Sequence, residues 1–250
     1  MGRLVLCFST HSRRNPVIAS CDRDGETLGA RSLILTLIGC AIARQLIFEH
    51  YTWDEYIQAV TNPQLEKAKC YYHNGRLRIE MSPVGPNHAS DNGIIVVLLN
   101  LFGIAKVLPM KLQINCSYRK TGIRECQPDA SYYIGERVNL APQGSSVVSL
   151  DSHSPPDLAI EVADTSVADD IGEKRMLYED MQVKEYWVVD VQKARIIAFS
   201  IIANSGSQRI TESQVLPELP LPLLEEALQR SRNLDQTQVG SWFLEQVQGI

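Results

Sequence analysis

The chain has 250 residues and a mass of 28.0 kDa, which is enough for one sizeable hydrophobic core. Its hydrophobic content of 44% and charged content of 21% are typical of a folded globular protein. The net charge of -5 and the isoelectric point near 5.6 exclude attraction of nucleic acid to the whole surface. Binding to phosphates therefore requires a local basic patch that forms on folding.

The six cysteines lack the spacing of a structural zinc site. The sequence contains neither a Cys-x-x-Cys pair nor a His-x-x-x-His spacing. Scattered cysteines are typical of reduced thiols, so we expect a cytoplasmic protein. The cysteines are Cys7, Cys21, Cys40, Cys70, Cys116 and Cys126.

The first fifty residues differ in composition from the rest, because they contain arginine but no lysine. Their apolar run, residues 33–47, is interrupted by Arg44 and is shorter than the roughly 20 residues of a membrane span. We therefore expect no membrane anchor. Residues 1–50 are interpreted as an N-terminal extension that is disordered or lies upstream of the true start.

Regular elements begin near residue 51. Thr52 followed by Glu55 forms a capping box and predicts a helix that ends before Asn62-Pro63. The Asn74-Gly75 pair between two apolar stretches predicts a β-hairpin. After breaks at Ser82-Pro83 and Gly85-Pro86, apolar residues at a helical period predict a helix over residues 87–102.

The remaining pattern predicts alternating strands and helices. A loop is predicted over residues 139–155, and two terminal helices are predicted over residues 216–230 and 238–247. This order predicts an α/β (α+β) fold with a mixed β-sheet flanked by helices, as one domain over residues 51–205 and a C-terminal helical extension over residues 206–250. The predicted strands are residues 107–118, 126–134, 158–162, 185–191 and 195–202, with a helix over residues 169–181.

Glu161 is the first candidate for chemistry because it interrupts the apolar segment of residues 159–163. A buried carboxylate has to be paired, protonated or bound to a metal, since an isolated charge in apolar surroundings costs several kcal/mol. The alternative is structural: Glu161 reaches solvent at a strand end or pairs with an arginine.

Three polar residues, Asp170, Lys174 and Tyr178, are spaced four apart on the predicted helix and so lie along one face. The helix follows the Glu161 strand after a short turn, so this face can fold back towards that strand. The alternative is a solvated helix face in which Asp170 and Lys174 form a weak surface pair.

Two Pro-Asp pairs compete as the source of a second carboxylate. Asp157 would lie roughly 13 Å from Glu161 on the same extended strand, at about 3.3 Å per residue. Two ligands of one Mg²⁺, each at about 2.1 Å, cannot be that far apart. Asp129 comes from a neighbouring strand and can approach Glu161, so it is the better partner.

Taken in order, these motifs resemble the Uma-type restriction endonuclease family of the PD-(D/E)XK nuclease superfamily. The resemblance covers residues 51–202. Its elements are Pro128-Asp129, Glu161-Val162, Asp170-x-x-x-Lys174-x-x-x-Tyr178 and the strand of residues 185–190, together with Asn74-Gly75, Met81-Ser82-Pro83 and His88 in the N-terminal half.

The resemblance implies a restriction-endonuclease-like fold with a divalent-metal site. Asp129 and Glu161 would bind Mg²⁺ or Mn²⁺, which activates water and polarises the phosphodiester. Lys174 would orient the attacking water and stabilise the charge on the phosphate. The substrate implied is DNA, and a homodimer is expected because a duplex needs two cuts.

The chain departs from the superfamily pattern at two positions. Ala163 occupies the place two residues after the strand carboxylate, where the superfamily has lysine, so Lys174 has to come from the helix instead. The glutamate expected before the hairpin glycine is replaced by residues 71–73, Tyr-Tyr-His. Glu80 is the candidate substitute for this third acidic ligand.

Several further residues have open assignments. His88, with Asp91 one turn later, is a candidate for contact with the phosphate or a water, and its alternative is a capping or surface role. Asp170 and Tyr178 are candidate supporting residues. Trp187 is assigned to core packing rather than to base stacking.

The sequence thus predicts a metal-dependent endonuclease that hydrolyses phosphodiester bonds in DNA. One alternative function is that of a catalytically weak nuclease-fold module with a nucleic-acid-binding or regulatory role. Another is a hydrolase of a different phosphate ester, because the site residues do not encode a base or a sugar.

Overall fold

The computed structural model describes residues 7–8, 18–19, 45–81 and 85–249. Most of the predicted N-terminal extension and the Ser82-Pro83 break lie outside these described residues. The chain forms two compact units: residues 1–83 with 119–127, and residues 84–118 with 128–250. The division predicted at residues 50 and 205 stays a prediction.

The elements of both units are numbered along the chain. The strands are β1 Cys7–Phe8, β2 Ile18–Ala19, β3 Gln45–Phe48, β4 Lys69–His73, β5 Arg76–Glu80, β6 Met110–Ile114, β7 Tyr118–Lys120, β8 Arg124–Cys126, β9 Ala130–Ile134, β10 Val148–Ser149, β11 Leu158–Ala163, β12 Glu185–Asp190, β13 Arg195–Ile202 and β14 Gly206–Ile210. The helices are α1 Trp53–Val60, α2 Pro86–Ala105, α3 Val167–Asp169, α4 Arg175–Met181, α5 Leu221–Arg230 and α6 Gln236–Gln248, with a π-helical turn at Asp170–Lys174 between α3 and α4.

In the first unit, helix α1 packs on an antiparallel sheet. The predicted capping box is confirmed, because Glu55 donates its N–H to the Thr52 hydroxyl and its carboxylate accepts the Thr52 N–H. The predicted hairpin is confirmed as β4–β5, with Asn74 and Gly75 at φ of 50° and 76°. Only residues that tolerate positive φ fit this turn, which explains the Asn-Gly pair.

Replacing Glu55 with glutamine tests the capping box through pH. The Thr52 backbone N–H, followed by the Thr52 hydroxyl, lowers the Glu55 pKa from its usual value of 4.5. The folded pKa lies below the unfolded one, so this stabilisation is present above pH 4.5 and is lost as the pH falls through the folded pKa. We expect Glu55→Gln to cost about 0.5 kcal/mol at neutral pH and nothing in strong acid, by urea unfolding. An equal cost at both pH values would contradict the assignment.

The second unit is built on a six-stranded mixed sheet flanked by helices, as predicted. Its strand order is β14-β13-β12-β11-β9-β6, and β11 and β12 are its parallel pair. Side chains alternate across this sheet. One face carries Ile160 and Trp187, which belong to a core that also includes apolar residues of α2, α5 and α6. The other face carries Glu161 and Tyr186, and faces the helical residues 167–181.

Helix α2 is long and apolar enough to cross a membrane by length and composition alone. Its apolar residues Ile94, Leu98 and Phe102 are, however, fully buried in the core of the second unit. Helices α5 and α6 contribute Leu224 and Phe243 to the same core. Helix α2 is therefore the central core helix of this unit.

Three boundaries differ from the sequence prediction. The strand predicted over residues 107–118 ends at Ile114, because Asn115 takes a left-handed conformation with φ of 51°. The strand predicted over residues 126–134 is divided into β8 and β9 around Pro128, which has no N–H to donate. The helix predicted from residue 216 begins at Leu221, because Pro220 has an extended backbone at the N-cap position.

Strand β14 was not predicted. It pairs antiparallel with β13, for example Arg209 opposite Phe199. The sequence of β14 is polar and has exposed residues, so it lacks the apolar alternation that identifies a strand. Pairing with β13 is what makes it a strand.

Candidate active site

Asp129 lies directly before β9 and reaches across to β11. Ala130 pairs with Ile160, and this register carries the Asp129 side chain to Val162, whose N–H it accepts at 2.8 Å through Oδ2. The residue is 4% exposed. The predicted placement of Asp129 beside the Glu161 strand is thus present in the structure.

Glu161 lies on β11 with its side chain buried, at 2% exposure. Its Oε1 accepts the Tyr178 hydroxyl at 2.7 Å, and its Oε2 lies 3.6 Å from the Lys174 ammonium. The alternative of a solvent-exposed glutamate at a strand end is wrong, because the side chain faces the helical residues 167–181.

Lys174 is buried between two carboxylates. Its Nζ lies 2.9 Å from Asp170 Oδ1 and 3.6 Å from Glu161 Oε2, and the residue is 4% exposed. The alternative of a solvated surface pair is therefore wrong. Burial of a lysine requires such partners, since its charge cannot be left unsolvated.

The π-helical turn at Asp170–Lys174 positions this lysine. Such turns close hydrogen bonds over one more residue than an α-helix and occur often at functional sites. Asp170 is held by the Ser166 hydroxyl at 2.5 Å on its carboxylate and by the Tyr186 hydroxyl at 3.0 Å on its carbonyl.

Two aromatic rings support the same arrangement from β12. Tyr186 stacks on Tyr178 with the ring centroids 4.5 Å apart and the planes 19° apart. Both rings are fully buried. Ser166 and Tyr186 are site residues that were not predicted from the sequence. Only the strand alternation that places Tyr186 on the Glu161 face could have indicated its role.

His88 and Asp91, expected on one helix face, have different surroundings. His88 Nε2 lies 3.5 Å from Asp129 Oδ2, so His88 is adjacent to the candidate site. The Asp91 carboxylate is fully buried and binds the guanidinium of Arg232, which also donates to the Val191 carbonyl at 2.9 Å. Asp91 therefore joins α2 to the chain before α6, whereas His88, one turn earlier on the same helix, lies beside Asp129.

Breaking the Asp91–Arg232 pair tests this structural role. We expect Arg232→Met to lower the free energy of unfolding by about 3 kcal/mol, because it leaves the buried Asp91 carboxylate without its cation. The double variant Asp91→Leu/Arg232→Met should recover most of that loss. The measurement is urea unfolding, with Arg230→Met as the control for an exposed pair, its partner being Glu226. A loss no larger than that of the control would contradict the role.

Asp157, the alternative to Asp129 as second carboxylate, binds groups outside the candidate site. Its Oδ2 accepts the Ile134 N–H at 2.8 Å, and its Oδ1 lies 2.7 Å from both Arg137 Nε and Lys184 Nζ. Asp157 precedes β11, whereas Asp129 bonds to Val162 near the opposite end of that strand. The choice of Asp129 from distance agrees with this placement.

Glu80 and Trp187 complete the sequence candidates. Glu80 ends β5 in the first unit, where its carboxylate lies 3.8 Å from Arg78, whereas Asp129 and Glu161 belong to the second unit. Trp187 is fully buried, and its indole N–H donates to Glu185 Oε2 at 2.9 Å. Its assignment to core packing is confirmed.

The oxygen ligands at the site suit a hard divalent cation, but they do not form a complete set of ligands. Asp129 and Glu161 offer carboxylate oxygens, which Mg²⁺ prefers. Within residues 45–81 and 85–249, no group of three or more His, Cys, Asp and Glu side chains is arranged to hold a metal. Asp129 and Glu161 would hold the ion, and one or two carboxylates are the usual protein contribution to a Mg²⁺ site at a phosphate.

Comparison with protein families finds a match over most of the chain. The family model Uma2, described as "Putative restriction endonuclease", matches residues 53–236, which is more than half of the chain. A similar solved structure is that of a putative nuclease belonging to DUF820 from Anabaena variabilis ATCC 29413, with 15% identity and a TM-score of 0.48, covering 77% of this chain and 98% of that one. No curated protein sequence matches at a significant level. The chain belongs to the Uma2 restriction endonuclease family.

Proposed function

We propose that this protein is a metal-dependent endonuclease that hydrolyses phosphodiester bonds in DNA. Membership of a restriction endonuclease family supports a nuclease in general. One observation carries the finer proposal: the buried Lys174 ammonium lies 3.6 Å from Glu161, and Asp129 reaches the next residue of the same strand. A buried cation beside Glu161, with a second carboxylate bonded to the same strand, suits cleavage of a charged phosphate ester.

Asp129 and Glu161 would hold the Mg²⁺ or Mn²⁺. When bound, the ion polarises the phosphodiester and lowers the pKa of its water. Lys174 supplies a compact positive charge for the phosphate oxygens, where negative charge accumulates during attack. His88, 3.5 Å from Asp129, is placed to contact the substrate or a water at the edge of the site.

Tyr178 and Asp170 keep these groups oriented. The Tyr178 hydroxyl donates to Glu161 Oε1, which leaves Oε2 directed at Lys174. Asp170 binds the same ammonium at 2.9 Å. With one partner on its own helix and one on β11, Lys174 is held in one position, as catalysis by pre-oriented charges requires.

A plasmid-nicking assay tests the proposal. Supercoiled plasmid incubated with the protein and Mg²⁺ or Mn²⁺ should give open-circular and then linear DNA, and a chelator should abolish both products. Absence of nicking with either metal would overturn the proposal. Hydrolysis of bis(p-nitrophenyl) phosphate without DNA cleavage would instead support a hydrolase of other phosphate esters.

A second function, a weakly catalytic nucleic-acid-binding or regulatory module, is favoured by one specific observation. Among the described residues, no group of three or more His, Cys, Asp and Glu side chains is arranged to hold a metal. This function predicts salt-sensitive DNA binding without nicking. The homodimer and the cytoplasmic location expected from the sequence remain part of the proposal.

A further inference from the structure

Three arginines of the second unit form a cationic patch, one on helix α4 and two on the outer strands β13 and β14. We define the arginine patch as Arg175, Arg195 and Arg209, of which Arg175 and Arg209 lie over the ring of Phe199. The Arg175 guanidinium carbon lies 5.1 Å from the centre of the Phe199 ring, and that of Arg209 lies 5.6 Å from it. Both guanidinium groups are therefore fixed on one aromatic ring rather than extended freely into water.

We propose that the arginine patch binds the phosphate backbone of the nucleic acid next to the cleavage site. This inference rests on the proposed function, because it supplies the local basic surface that an acidic nuclease needs. The protein has a net charge of -5, so binding of phosphates depends on where its cations are grouped.

The patch lies on the same face of the sheet as the candidate site. Glu161, Val188 and Ile197 form one row across β11, β12 and β13. The Arg209 guanidinium donates to the carbonyl of Ile196, beside that row, at 3.1 Å. With strands about 4.8 Å apart, β13 lies about 10 Å from the Glu161 backbone. This is about three nucleotides of rise along a duplex.

The helix that carries Lys174 links the site to the patch. Lys174 ends the π-helical turn and Arg175 begins α4, so these consecutive side chains leave the helical segment in different directions. Lys174 reaches towards Glu161 on β11, whereas Arg175 reaches towards Phe199 on β13. A phosphate bound by Arg175 is thus held at a fixed distance from the catalytic ammonium.

The local charges favour an anion at this position. Arg195 helps to lower the Arg209 pKa, after burial, which indicates that the two cations repel each other. A carboxylate lies beside each of them. Glu179 is 3.5 Å from Arg175 and also accepts from Ser207, Glu225 raises the Arg209 pKa, and Asp190 is opposite Arg195 in the strand pairing. A bound phosphate would relieve the repulsion between Arg195 and Arg209.

The test measures the salt dependence of binding to a labelled DNA duplex without metal, by fluorescence anisotropy between about 50 and 200 mM KCl. The double variant Arg175→Met/Arg209→Met keeps the packing on Phe199 and removes two charges. We expect the slope of log K against log[salt] to fall by about two units, because each lost phosphate contact removes about 0.9. Arg230→Met is the matched control: Arg230 also lies over an aromatic ring, Trp242, and pairs with a glutamate four residues earlier.

The proposal that the arginine patch binds phosphates would be overturned by an unchanged slope in the double variant. An equal fall of the slope in the control would overturn it as well. If the wild type nicks plasmid while the double variant keeps its slope, phosphate binding by the arginine patch is contradicted and the proposed nuclease activity is not. If the wild type nicks plasmid but shows no salt-sensitive binding, the patch is again overturned. A wild type that neither nicks nor binds overturns both.

A separate observation concerns the π-helical turn. The Tyr186 hydroxyl donates to the carbonyl of Asp170, the first residue of that turn, and the Tyr186 ring stacks on Tyr178. We infer that Tyr186 is a positioning residue for Lys174. It holds the turn that carries the lysine and the ring whose hydroxyl binds Glu161.

Tyr186→Phe tests this role, because it removes the hydroxyl and keeps the stacked ring. We expect faster hydrogen exchange of the amides of residues 170–175 and, given the proposed nuclease activity, a kcat about tenfold lower with KM unchanged. Tyr133→Phe is the control, since its buried hydroxyl also donates to a carbonyl, that of Ser154, at 2.8 Å. Unchanged exchange in Tyr186→Phe, or the same change in Tyr133→Phe, would overturn the inference whether or not the protein cleaves DNA.

Discussion

Replacing Lys174 with methionine should lower the rate of metal-dependent plasmid nicking by about 10³, because the removal of one preorganised charge-stabilising group typically costs 10²–10³. Methionine preserves most of the side-chain volume, so the change is mainly the loss of the ammonium. The buried Asp170 and Glu161 carboxylates would then face each other without the cation that lies between them.

The same substitution should also destabilise the fold, by about 3 kcal/mol, since it leaves buried charges uncompensated. Nicking has therefore to be compared at a temperature at which circular dichroism shows the variant folded. Lys193→Met is the matched control, because that lysine is 68% exposed and lies 3.9 Å from Asp190. A folded Lys174→Met protein that nicks as fast as the control would remove Lys174 from the mechanism.

Replacing Glu161 with glutamine should abolish the dependence of both activity and stability on Mg²⁺. Glutamine can still accept the Tyr178 hydroxyl, so the packing is preserved while the charge is lost. Metal binding to the folded state raises its stability by about 2.7 kcal/mol at a hundredfold excess over Kd. We expect the wild type to show an increase in Tm with Mg²⁺ and Glu161→Gln to show almost none, with nicking reduced by at least about 10².

Glu226→Gln is the control for the loss of a carboxylate outside the site, because Glu226 is half exposed and pairs with Arg230. It should retain the full Tm increase. The assignment of Glu161 as a metal ligand fails if Glu161→Gln and Glu226→Gln respond to Mg²⁺ equally. Because Tm is measured without DNA, this result is independent of the substrate.

Local sequence was sufficient for elements whose signals lie within a few residues. The capping box of Thr52 and Glu55 and the Asn74-Gly75 turn form between near neighbours, so the sequence shows them directly. Strand β14 has no such signal, because it is polar and becomes a strand only through pairing with β13. The break at Asn115 also escaped prediction, since its N–H bonds to the carbonyl of Asp129, which directly precedes a different strand.

The candidate site was partly accessible for a similar reason. Glu161 stood out because a carboxylate within an apolar strand needs a partner. Asp129 followed from the length of an extended strand, and Lys174 from the family resemblance. The sequence by itself therefore determined the mixed sheet with its flanking helices and the residue types at its site, through hydrophobic periodicity, capping and turn chemistry.

Tertiary structure alone decided which of these residues meet. Lys174 is buried between Asp170 and Glu161, and Tyr186 supports the π-helical turn. Asp91 binds Arg232. These are contacts between different elements. Asp91 and Arg232 are 141 residues apart in the chain. Such contacts depend on strand register and helix packing over the whole unit, and neither quantity is encoded in a local window of sequence.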